Sequence, residues 1–280
     1  MTVAIVFASV APVPATSGCE VPLVTISIQT AVDRLIDART NRRLLAPFSE
    51  TDGDLSIVHA YAIQDALRAE LDRQGERSIG WKLGATSPAG QAVMGVQEPA
   101  CGFLLPAQYS SGAEVAVSKS ANLAVEAEVA FRMRAKLVGP GVTAATALLA
   151  VESAMPALEL LDFIFSGKPR AADYIAGSIL AHAIALGSPV APEGLDLATE
   201  SVEYEHNSEV VGTYTAAEVM GNPLNALAWL ANHLGTRGLS LKPGDIVMSG
   251  AISKLVRPKP GDTIGARCAR LGSISVKVVA

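Results

Sequence analysis

Glu126 and Glu128 stand one residue apart in an otherwise apolar run, Ala124-Val-Glu-Ala-Glu-Val-Ala-Phe131. Successive side chains of a strand point to opposite faces, so this spacing puts both carboxylates on one face and Val125, Ala127 and Val129 on the other. Desolvation and mutual repulsion both oppose two like charges side by side on a half-buried strand. A hard divalent cation removes both objections, because Mg²⁺ prefers a few carboxylate oxygens plus water. A third acid, Glu159, lies alone in the apolar run Pro156-Ala-Leu-Glu-Leu-Leu-Asp162. Three glutamates from two strands facing one cavity would suit a single octahedral Mg²⁺ or Mn²⁺. The competing reading for each is a carboxylate at a solvated sheet edge.

Lys82 is a lone cation in the glycine-bounded run Gly80-Trp-Lys-Leu-Gly84. Near a metal and an anionic substrate, a lysine can stabilise an enolate or move a proton. The alternative is a surface lysine whose stem covers Trp81. His59, His182, His206 and His233 have no mutual spacing that makes a zinc site or a relay. Ser249 follows an apolar strand and precedes Gly250, but no nucleophile-elbow pattern surrounds it.

The elements that must position these groups read as follows. From Ser27 the pattern is helical, with Ile28, Ala31, Val32 and Leu35 on one stripe. Ser56 caps a second helix with Ala60, Ile63, Leu67 and Leu71 inward, ending near Gly75. After Ser78 short β-rich runs take over: Ile79 to Leu83, Glu126 to Phe131, Leu158 to Ile164, Val202 to Tyr204, Ile246 to Met248, Thr263 to Ala266 and Ser273 to Val278. Lys242-Pro-Gly-Asp245 and Lys259-Pro-Gly-Asp262 read as reverse turns entering strands. One helix starts at Thr143 and runs to about Ser153. Another is capped by Asn222 with Pro223 in its first turn and Leu224, Leu227, Ala228, Ala231 and Leu234 inward. Many strands and few helices predict an α+β chain with a mixed or antiparallel β body. The expected division is an ill-ordered tail over 1–26, a helical region over 27–77 and a β-rich catalytic domain over 78–280.

Bulk properties narrow the function. The chain has 280 residues, half of them apolar and 18% charged, which supports a large core and argues against disorder. A net charge of −5, with no basic run, does not suggest a nucleic-acid or anionic-membrane partner. No stretch approaches the ~20 strongly apolar residues of a membrane span. The three cysteines, Cys19, Cys101 and Cys268, are widely separated and fit a reducing cytoplasm. The first 26 residues are apolar but lack the basic n-region of a secretory signal, so a tail or an upstream start codon is expected there rather than export. No dinucleotide fingerprint and no Walker loop are present.

Several motifs occur together in order: Gly80-Trp-Lys-Leu-Gly-Ala-Thr-Ser87, Glu126-Ala-Glu128, Pro156-Ala-Leu-Glu159 through Asp162, Asn222-Pro-Leu-Asn-Ala-Leu-Ala-Trp-Leu-Ala-Asn232 and Leu271-Gly-Ser-Ile-Ser275. From about residue 27 to the C-terminus the chain thereby resembles the 2-keto-4-pentenoate hydratase / 4-oxalocrotonate decarboxylase family, a branch of the fumarylacetoacetate hydrolase superfamily. The resemblance implies a mixed β-roll or sandwich catalytic body, Mg²⁺ or Mn²⁺ held by Glu126, Glu128 and Glu159, and Lys82 in the active site. It further implies Thr86, Ser87 and Ser249 as substrate-holding candidates. The substrate would be a small 2-oxo acid from meta-cleavage degradation of aromatic compounds, handled by a cytoplasmic homo-oligomer with a pathway enzyme as a candidate partner.

Within that family the reaction is expected to be hydration of a 2-hydroxydienoate, ahead of decarboxylation. Hydratases of the family often carry an acidic residue just after the proline of Pro99-Ala-Cys-Gly102, where this chain has Ala100. An Asp-Asn pair is usual near Ala176, where Gly177-Ser178 stands. Met248-Ser-Gly-Ala-Ile252 leans toward the decarboxylases, and the Asn222–Asn232 stretch toward the hydratases. An acylpyruvate C–C hydrolase and a supporting subunit of a hetero-oligomer are the remaining alternatives.

Overall fold

The computed structural model describes residues 26–280. The tail expected over 1–26 therefore lies, except for Ile26, outside the described residues. Three helices come first: α1 (Ile28–Asn41), α2 (Phe48–Thr51) and α3 (Ile57–Arg73). Ser27 and Ser56 cap α1 and α3, each accepting a hydrogen bond from a backbone N–H three residues on. The buried stripes are Ala31, Val32, Leu35 and Ala38 on α1 and Ala60, Ile63, Gln64, Leu67 and Leu71 on α3. Ile28, read as core-facing, is exposed in the first turn of α1.

The β body follows: β1 (Gly80–Gly84), α4 (Pro88–Met94), β2 (Ala100–Leu104), β3 (Gln108–Ser110), β4 (Ala113–Ala116) and β5 (Leu123–Met133). Next come α5 (Ala144–Leu149), β6 (Val151–Asp162), α6 (Ala171–Ala176), β7 (Ala181–Leu186), β8 (Ser201–His206) and β9 (Glu209–Thr215). The chain closes with α7 (Pro223–Thr236), β10 (Ile246–Met248), β11 (Thr263–Cys268) and β12 (Gly272–Val279). Asn222 and Pro223 open α7 as expected, the Asn222 side chain accepting from Leu224 N–H.

Two sheets form the body. One has seven strands in the order β2-β1-β10-β5-β6-β7-β3, and the other five in the order β4-β12-β11-β8-β9. β11 and β12 pack against β5, β6 and β7, so the second sheet covers the centre of the first. Val125, Ala127 and Val129 share the main core with Ile264, Ile274 and Val276 of the second sheet. That core also takes in Leu35, Phe48, Ile63 and Leu67, so the N-terminal helices and the β body are packed around one apolar interior.

The helix expected from Thr143 to about Ser153 is shorter. Thr143 caps α5, which stops at Leu149, and Val151 already enters β6. Residues from 151 onward pair along almost all of β5, and this long ladder overrides a local pattern that a helix could also use. The strand expected over Leu158 to Ile164 correspondingly begins earlier and ends at Asp162. The two Lys-Pro-Gly-Asp segments form the same turn. In each, the aspartate carboxylate accepts from the lysine N–H, and the aspartate N–H donates back to the lysine carbonyl.

Candidate active site

Sheet register builds the site. β5 and β6 are antiparallel, with Glu126 directly opposite Glu159 and Glu128 opposite Ala157. Paired residues point to the same side, so all three carboxylates share one face. One oxygen from each lies within 4.8 Å of the others. Lys82 reaches the same face by a second route: it is level with Met248 on β10, and Met248 is level with Ala130 on β5. Ala130 is two residues past Glu128, hence on its face. Lys82 Nζ donates to Glu159 Oε2 at 2.7 Å and to the Ile179 carbonyl at 3.0 Å. The surface-lysine reading is corrected here, because Lys82 is 2% exposed.

Glu128 and Glu159 are fully buried, and Glu126 is partly so. Burial pushes the Glu126 carboxyl up to about 7; Lys82 opposes the rise and Glu159 adds to it. Glu128 is raised well above the usual carboxylate range, first by desolvation and then by Glu159, against Lys82 and the Gly250 N–H. Glu159 is raised by burial and held back by Lys82. The Gly250 N–H donates to Glu128 Oε2 at 2.8 Å, while Glu128 Oε1 and Glu159 Oε1 are buried without a hydrogen-bond partner. Three carboxylates facing one ammonium leave a formal charge of minus two, which one divalent cation would neutralise. The residues therefore fit a hard divalent metal, on both the donor set and the orphaned oxygens.

A cavity of about 340 Å³ opens onto this cluster at Glu126 and Lys82. Thr86 and Ser87 line it. Thr86 is buried and packs on Gly250, where an added Cβ would lie 2.3 Å from Thr86 Oγ1. Ser87 caps α4, its Oγ accepting from Gly90 N–H. Ser249 is the sequence-derived candidate that the cavity leaves out: it is fully buried, does not line the cavity, and its Oγ has no partner. Ala100 pairs with the cavity-lining Gly84, so no ionisable group stands at that strand position.

One element of the site carried no signal in the sequence. After α6 the chain makes a left-handed turn through Ser178, Ile179 and Leu180, with φ of 59°, 48° and 61°. Each such residue costs about 1–2 kcal/mol, and a β-branched one is the least expected there. The turn offers the Ile179 carbonyl to Lys82, and Ile179 and Leu180 line the cavity. Several contacts hold it. Arg39 of α1 donates to the carbonyls of Gly177 and Ala181 on either side, and Ser178 Oγ donates to the Phe103 carbonyl. Gly102 permits this approach, because a Cβ there would sit 2.5 Å from the Ser178 carbonyl oxygen. Gln64 of α3 ties the same region together through the carbonyls of Cys101 and Ile175. The N-terminal helices thus brace one wall of the site.

Residues 84–279 match the family model described as fumarylacetoacetate (FAA) hydrolase C-terminal. A 2-hydroxyhexa-2,4-dienoate hydratase of Comamonas testosteroni is 33% identical over 256 residues, covering 89% of this chain and 97% of the relative. A 4-oxalocrotonate decarboxylase of Pseudomonas putida is 36% identical over 240 residues, covering 81% of this chain and 87% of the relative. The solved 4-oxalocrotonate decarboxylase from Pseudomonas putida G7, complexed with magnesium and adipate, superposes with a TM-score of 0.87 at 30% identity, over 90% of this chain and 97% of that one. Among the described residues, no helix is long and apolar enough to cross a membrane.

Proposed function

This chain belongs to the fumarylacetoacetate hydrolase family, and from that premise we propose that it is a divalent-metal-dependent lyase acting on 2-oxo or 2-hydroxydienoic acids. Hydration of a 2-hydroxypenta-2,4-dienoate-type substrate in aromatic degradation is the reading the site supports best. The observation that carries it is the convergence of Glu126, Glu128 and Glu159 beside a buried lysine at the wall of a small-molecule cavity.

The three glutamates would hold Mg²⁺ or Mn²⁺, which when bound supplies positive charge to the carboxylate and C2 oxygen of the substrate. The chain's own groups do the rest. Lys82 Nζ, buried and fixed by Glu159 and the Ile179 carbonyl, stabilises developing enolate charge and can pass a proton at C3 or C5. Thr86 and Ser87, with nearby backbone N–H groups, orient the substrate carboxylate. Protonation of the dienol at C5 leaves a C3=C4 bond conjugated with the ketone. Water then adds its oxygen at C4 and a proton at C3. The apolar wall keeps bulk water away from the ammonium, where its charge acts through a low dielectric.

A second reading of the same site, decarboxylation of a 4-oxalocrotonate-type diacid, is favoured by Ala100 and by the likeness to decarboxylases. The enzyme is proposed to work in the cytoplasm as a homo-oligomer. The test is an assay of the purified chain alone, with EDTA and then with Mg²⁺, following loss of the dienol chromophore and release of CO₂. Chromophore loss restored by Mg²⁺ without CO₂ is the expected result. CO₂ release would favour the decarboxylase, and inactivity on every 2-hydroxydienoate would overturn the lyase reading and favour a supporting subunit.

A further inference from the structure

The cavity differs sharply in character along its length. Its charged groups, Glu126 and Lys82, belong to the acid cluster, and Thr86, Ser87 and the Tyr174 hydroxyl are its other polar side chains. From the cluster β6 supplies the wall. Alternation puts Leu161 on the side of Glu159, ~7 Å along the strand, and Phe163 follows just past the end of β6 at Asp162. Both residues line the cavity, together with Tyr174, Leu255 and Met94. Among the described residues lining it, Lys82 is the sole cation, and both Glu159 and Ile179 already engage it. Arg257 stacks its guanidinium 4.4 Å from the Phe163 ring centre and donates to Asn122, but it does not line the cavity.

A carboxylate at the far end of a bound substrate would therefore sit among leucine and aromatic side chains, with the Tyr174 hydroxyl as a donor but with Arg257 behind the Phe163 ring and no cation in the lining itself, which is unfavourable. The space is also more than a five-carbon acid needs, since a cavity of about 150 Å³ already admits benzene, and this one measures about 340 Å³. We propose that the substrate carries an uncharged alkyl or aryl tail beyond C5, and that Leu161, Phe163, Tyr174 and Leu255 select it against a terminal carboxylate. This deepens, and rests on, the assignment of the acid cluster as the site that holds the 2-oxo acid head.

Two unreactive probes isolate the tail. With Mg²⁺ present, 2-oxohexanoate and 2-oxoadipate share one head and differ by a terminal carboxylate, so calorimetric titration of each compares the tails directly. The expected result is at least tenfold tighter binding of 2-oxohexanoate. Equal or tighter binding of 2-oxoadipate would overturn the proposal, and its loss in Arg257→Ala would name Arg257 as the counter-charge. The binding contrast is read without turnover, so failure of the lyase assay and failure of the tail preference are seen separately.

Discussion

Lys82 and Glu159, 77 residues apart in the chain, form a buried ion pair at 2.7 Å. Their strands are not neighbours: β10 and β5 lie between β1 and β6. The pair therefore spans four strands of one sheet and ties the proposed proton-handling group to the proposed metal cluster. Removing one partner of such a pair leaves the other charge uncompensated.

Lys82→Met is accordingly expected to act in two ways. Mg²⁺ affinity by calorimetry should remain, because all three carboxylates remain, while kcat falls by about 100-fold or more. Without metal the variant should also be less stable, by up to about 3–5 kcal/mol if Glu159 stays ionised. A normal kcat would retire the catalytic role of Lys82.

Glu128→Gln should abolish metal-dependent turnover with the fold intact. The amide oxygen can still accept from Gly250 N–H, but a charged donor is lost from the cluster. Thermal unfolding checks this: Mg²⁺ should raise Tm in the wild type and leave it nearly unmoved in the variant. An equal rise in both would remove Glu128 from the metal site.

Metal binding should strengthen as pH rises through about 7, because the Glu126 carboxyl, lifted to about 7, must lose its proton to bind a cation. Stability of the metal-free protein should run the other way. The folded state holds a proton on Glu126 that the unfolded chain releases near 4.5, so this contribution is present below 4.5 and lost as pH rises through 7. Comparing Tm of wild type and Glu126→Gln in EDTA, from pH 5 to 8, checks the sign. A difference that does not vary with pH would refute it.

Gly102→Ala should cost about 1–3 kcal/mol, the usual range for overpacking, because its Cβ would meet the Ser178 carbonyl oxygen at 2.5 Å. The Ile179 carbonyl shifts with the turn, so kcat should fall as well. Chemical denaturation and steady-state kinetics read the two effects, and wild-type values for both would show that the approach is not constrained.

Much of this protein was legible in its residues. Period-two alternation puts Glu126 and Glu128 on one face whatever partner β5 takes, and the cost of burying like charges marks that face for a cation. The capping serine at 56 and the Asn222-Pro223 pair mark helix starts, because their side chains satisfy or dispense with N–H groups that any helix leaves free. The boundary at Ala150 was not legible, since an alanine- and leucine-rich segment suits helix and buried strand alike.

Other features belong to the tertiary structure alone. Which strand stands opposite Glu126, whether Lys82 is inside or outside, and that Ser249 misses the cavity all depend on register between segments remote in sequence, which no local pattern encodes. The left-handed run of Ser178, Ile179 and Leu180 goes further, because it contradicts local preference and persists only where Arg39 of α1 and Gly102 and Phe103 of β2 hold it. Local chemistry determined which groups could act; long-range packing decided how they meet.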